Sequence, residues 1–146
     1  MRRRFAFALL PAIAALTLSA LPSAPVAADD APRARKTVTV TIVFQCDGTR
    51  SVSPWQAHLE QGDEIEWVLD PSSDVDAFEI QKKRLIGGWP FRSEHPALGR
   101  RGENARGREM RENQSGKKYR YDIVAQCPGP GNSTRREIID PDIIID

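Results

Sequence analysis

The stretch Lys36–Cys46, KTVTVTIVFQC, alternates without a break. Val38, Val40, Ile42 and Phe44 share one face, and Thr37, Thr39 and Thr41 share the other. A period of two carried by β-branched residues predicts a strand buried on one side only. The pattern returns along the chain. Trp55, Ala57 and Leu59 alternate with Gln56, His58 and Glu60; after a Gly62-Asp63 turn, Ile65, Trp67 and Leu69 alternate with Glu64 and Glu66. Phe78 and Ile80 repeat it, and Tyr119, Tyr121, Ile123 and Ala125 alternate with Lys118, Arg120 and Asp122. The chain ends in the isoleucine-rich REIIDPDIIID, where Pro141 predicts a bulge or an edge position. After residue 28 there is no amphipathic pattern of three helical turns and no internal repeat. Several short alternating strands separated by turns predict a single all-β domain, a sandwich or a barrel.

Residues 1–28 read differently. Arg2, Arg3 and Arg4 precede an apolar run, Phe5–Leu21, interrupted by Pro11, and Val26-Ala27-Ala28 ends it with small side chains before Asp29-Asp30. This is the layout of a cleaved signal peptide, for which a short, proline-broken run is better suited than for a membrane span. Whether export uses the general or the twin-arginine route stays open. Residues 29–35 form a flexible leader, and residues 36–146 the folded domain. The three arginines leave with residues 1–28, so 21 basic side chains become 18 against 20 acidic, a balance of −2. A near-neutral chain carries no global field towards nucleic acid or membrane. The expected location is the periplasm or the exterior, with no transmembrane segment in the mature chain.

Export bears on Cys46 and Cys127, the only two cysteines. In an oxidising compartment a structural disulfide is the expected use, with a reactive thiol as the alternative. Strand parity agrees, because Cys46 continues the inward register of Val40, Ile42 and Phe44, and Cys127 that of Tyr119, Tyr121 and Ile123. Two other segments are candidates for contact with a partner. Residues 100–118 carry seven basic side chains, among them Arg106, Arg108 and Arg111, with Met110 as the one large apolar residue. The segment reads as a long solvated loop, either an insertion kept soluble by charge or a basic site for an acidic protein or another anionic surface ligand. Trp89 and Phe91, in GGWPF, either close the end of the core or form an exposed anchor.

The stretches VSPWQAHLEQGDEIEW and SGKKYRYDI resemble the cupredoxin family: a strand, a Gly-Asp turn and a strand closing on an aromatic, then the strand that in that family runs into the copper loop. The resemblance covers Lys36–Asp146 and implies a Greek-key β-sandwich. It also implies a copper site built from two imidazoles, a thiolate and an axial thioether. The ligand order departs from that pattern. No histidine lies between Trp67 and Ile80, neither histidine nor methionine follows Met110, and Cys127 has no histidine after it. His58 falls on the polar face of its strand and His95 in a loop. The expectation is the fold without copper or any other cofactor.

Other chemistry finds little support. No serine sits in a G-x-S-x-G elbow, and neither histidine has the setting of a catalytic base. Asp70, Asp74 and Asp76 fail the EF-hand spacing, with Pro71 intruding and the terminal glutamate missing. The RRE and KKR runs lack the interleaved aromatics of nucleic-acid binding. The sequence therefore points to a non-enzymatic binding or accessory domain of unknown ligand. The alternative is a copper-binding or electron-transfer protein with displaced ligands.

Overall fold

The computed structural model describes residues 33–83, 88–93 and 97–146. The proposed signal peptide and His95 lie outside these residues. Ten strands follow in order: β1 Thr37–Phe44, β2 Arg50–Ser53, β3 Gln56–Leu59, β4 Glu64–Leu69, β5 Ala77–Lys82, β6 Ala97–Arg100, β7 Ala105–Gly107, β8 Lys118–Pro128, β9 Thr134–Ile139 and β10 Asp142–Ile145. They form two sheets. The four-stranded sheet has the order β2-β1-β4-β7; the six-stranded one runs β3-β10-β8-β5-β6, with β9 also paired to β8. Both sheets are mixed, because β1 runs parallel to β4 and β3 parallel to β10 while the other pairs are antiparallel.

The alternation read from the sequence is the alternation of burial. Val40, Ile42, Phe44, Ile65, Trp67, Ile80, Tyr121 and Ile123 are all fully buried, and Leu69 and Phe78 nearly so. Their side chains meet between the sheets, where strand periodicity puts every second residue. Trp67 lies at the centre of an aromatic group. Its ring stacks on Trp89 with centroids 6.2 Å apart and meets Tyr121 edge-on at 5.7 Å. Its Nε1–H donates to the Tyr121 hydroxyl at 3.0 Å, so neither polar atom is stranded in the core.

Two expectations need correction and a third is decided. Trp55 was expected inward with Ala57 and Leu59, yet it is 53% exposed. The chain crosses between sheets at a cis Ser53-Pro54 bond, and Trp55 precedes the first paired residue of β3. Of the two alternatives for Pro141, the bulge is absent and the edge position describes it. Ile139 faces Ile123 and Asp142 faces Arg120, equal steps on both strands, so β9 and β10 keep one register along β8. The proline stands at the junction where the outer edge passes from unpaired (β9) to paired with β3 (β10).

The second correction concerns residues 100–118, which are built into the fold rather than forming a long solvated loop. Arg100 closes β6, β7 pairs with β4, and Met110 bridges Phe91. Ala105 and Gly107 face inward, where a Cβ on Gly107 would stand 2.6 Å from the Phe91 ring and 2.7 Å from Ile65. Small residues let larger neighbours close over the backbone, so a segment poor in apolar side chains can still be packed. Gln114 is buried as well, hydrogen-bonded to the Tyr119 hydroxyl.

A candidate binding cleft on the six-stranded sheet

The outer face of the six-stranded sheet should be polar by strand parity, since Lys118, Arg120 and Asp122 of β8 point that way. Further along it is not. The doublets Ile123-Val124 and Ile138-Ile139 each put one apolar side chain on either face. Cross-strand pairing aligns the outer members into one row, because Glu79 of β5 stands opposite Leu98 on one side and Val124 on the other, and Val124 opposite Ile138. Leu98 is 64% exposed and Ile138 38%, whereas Val124 is buried. Arg136 of β9 reaches past β8 to the Gln81 side chain on β5, to which it donates at 2.8 Å. On the inner side, the Phe78 ring occupies the space a Gly99 Cβ would need, with Cζ 2.2 Å from that position.

The connection between β4 and β5 forms a lip over this row. Asp70 accepts from both the amide and the hydroxyl of Ser72, and those bonds hold its carboxyl below the usual range. The Ser73 hydroxyl accepts from the Phe44 amide at 3.2 Å, and the Asp74 carboxylate from the Cys46 amide at 3.0 Å. Arg101 fixes the rest, donating to the Pro71, Ser73 and Val75 carbonyls at 2.7–3.0 Å and pairing with Asp76 at 3.3 Å. Lip and row together enclose an open cleft of about 510 Å³ whose lining includes Asp74, Asp76, Glu79, Leu98, Val124 and Pro128. Asp74 and Asp76 are exposed although they share the parity of buried Phe78 and Ile80, because they precede β5 in the connection, and both are tethered.

Cys46 and Cys127 are joined, with Cα atoms 5.5 Å apart. Trp89 and Phe91 are 7% and 1% exposed and belong to the core, so the core-closing alternative describes them and neither is an exposed anchor. The three arginines do not converge. Arg106 is paired with Glu66 at 2.6 Å, and Arg111 turns its Nε–H onto the Phe91 carbonyl at 3.3 Å. Arg108 shares with Arg106 a groove of about 430 Å³, closed on one side by Ser93, whose hydroxyl accepts the Arg108 amide.

The copper site implied by the resemblance does not fit these residues. Both sulfurs that could supply a thiolate are in the disulfide, and the His58 Nδ1 lies 3.1 Å from the Asp146 carboxylate on the outer face of β3. The Met110 sulfur accepts from the Gly62 amide at 3.5 Å, far along the chain from either. Among the described residues no three histidine, cysteine or acidic side chains are grouped to hold a metal ion. The cleft itself escaped the sequence reading because Leu98, Val124 and Ile138 are 14 to 40 positions apart and become neighbours only through pairing. The one available signal was the two apolar doublets, which break the alternation of their strands. Comparison with protein-family models and with curated proteins finds no match.

Proposed function

We propose that this chain is a non-enzymatic, exported binding or accessory domain on a copper-free, cupredoxin-like Greek-key scaffold. Parallel pairing of β1 with β4 and of β3 with β10, placing the first and last strands in different sheets, supports that kind of sandwich. The Cys46–Cys127 disulfide fits an oxidising compartment, and residues 1–28 supply the export signal. The observation that carries the binding role is the cleft: exposed Leu98 beside an apolar floor, under a lip locked by Arg101. A rigid scaffold that leaves such a surface open is how loops and sheet faces serve recognition.

The test is position-dependent photo-crosslinking in the exporting cell. A photoreactive residue at Leu98 is expected to give a discrete adduct, and the same residue at Thr39, on the outer face of the other sheet, none. Equal adducts from both positions, or none from Leu98, would overturn the reading. So would stoichiometric copper with an intense thiolate-to-copper absorption in protein purified from the oxidising compartment.

A further inference from the structure

We infer that the cleft takes an extended segment of a partner protein that carries a lysine or arginine flanked by apolar side chains. The inference rests on the binding role proposed above and names the chemistry of the occupant. Of the three carboxylates lining the cleft, two are already engaged: Asp74 by the Cys46 amide and Asp76 by Arg101. Glu79 has no hydrogen-bond or ion-pair partner among the described residues. It is half-buried and stands directly between Leu98 and Val124, its cross-strand neighbours. Residues so paired have Cβ atoms about 5 Å apart. A carboxylate between two apolar side chains is matched by a group that is itself a cation on an apolar stem. Lysine and arginine lay their methylenes on apolar surface while the charged head finds its counter-ion.

The lining determines the sign of the partner. It holds no cationic side chain; Arg100, opposite Ala77 on the same face, Arg101, paired with Asp76, and Arg136, bonded to Gln81, stand outside the lining. An anionic segment would meet the Glu79 carboxylate, whereas Asp74 and Asp76 are engaged, and like-charge juxtaposition is costly. Leu98, Val124, Ala77 and Pro128 give the flanking apolar side chains their floor. The Arg101 bonds hold the lip in place without a ligand, so little ordering accompanies binding.

The experiment uses the full exported chain, isotopically labelled, and three short synthetic peptides that differ at one central position. That position is lysine, norleucine or glutamate, flanked by leucines. The lysine peptide is expected to shift amide resonances of Ala77, Glu79, Leu98 and Val124 saturably, and more weakly as salt is raised. Glu79→Gln should weaken it about fivefold, the value of a favourable ion pair at a partly exposed site. The norleucine peptide should bind the wild type and the Glu79→Gln variant alike. Equal binding of the lysine and glutamate peptides, or no effect of Glu79→Gln, overturns the inference. So does a chain that sediments as a dimer and returns to a monomer on Leu98→Ser. Glu79→Gln is also placed in the crosslinking strain. An adduct at Leu98 that survives it unchanged leaves the binding role standing and removes only the cationic partner, whereas absence of any Leu98 adduct removes the role itself.

Discussion

Trp67 and Tyr121 face each other from opposite sheets, and each satisfies the other's polar atom in a site closed to water. Emptying the Trp67 position leaves the stack on Trp89 without its partner. Trp67→Ala is therefore expected to cost about 3–5 kcal/mol in chemical denaturation. Tyr121→Phe keeps the ring but strands the indole N–H, and should cost about 1–3 kcal/mol. A tolerated Trp67→Ala would mean that the register of β4 is inverted. Burial also raises the pKa of the Tyr121 phenol far above its ordinary value, against a smaller opposing effect of the Trp67 hydrogen bond, and it raises that of Tyr119. The folded chain thus keeps protons that the unfolded chain releases near pH 10, so stability falls as pH rises past about 10. These are the only two tyrosines. Phenolate absorbance in an alkaline titration should develop together with the loss of native structure; titration of both phenols near pH 10 in a chain that stays folded would contradict this.

Strand edges show how the sandwich avoids pairing with its neighbours. Among the described residues no strand pairs with the outer edge of β9, yet its inward position nearest β2 is a carboxylate, Glu137, 7% exposed. Arg50 of β2 and Arg135 of β9 hold it at 2.6 and 2.7 Å, and Arg135 also donates to the Cys46 carbonyl. An inward-pointing charge on an edge strand penalises an incoming strand, which would have to bury it without these arginines. Glu137→Leu removes that penalty. The variant is expected to self-associate at concentrations where the parent is monomeric, as read by analytical ultracentrifugation; a monomeric variant would assign Glu137 a purely stabilising role. Edge logic also explains β7. Three residues suffice for this strand because Gly107 accepts Phe91 and Ile65 against the backbone, while Arg106 and Arg108 stay exposed.

The disulfide cross-links the two sheets through side chains, since β1 belongs to the four-stranded sheet and β8 to the six-stranded one. It joins positions 81 residues apart, for which the chain-entropy model gives about 4.5 kcal/mol. The denatured, unreduced chain should therefore show essentially no free thiol, and the Cys46→Ala/Cys127→Ala double variant should lose roughly that stability. Two free thiols would remove the bond. Much of this was readable in advance. The faces of β1, β4, β5 and β8 and the inward aim of both cysteines follow from local alternation, which any strand must obey once one side is buried. Trp89 and Phe91 left two readings open, because a loop aromatic is buried or exposed according to what stands behind it, here Trp67 and Tyr121. Residues 100–118 depart from the expected solvated loop for a related reason: composition measures what a segment can bury by itself, not what larger neighbours can bury over it. The cleft lay furthest from the sequence. Its row, Leu98–Glu79–Val124–Ile138, comes from four strands, and only hydrogen-bonded register, a property of pairs of strands, sets those side chains beside one another.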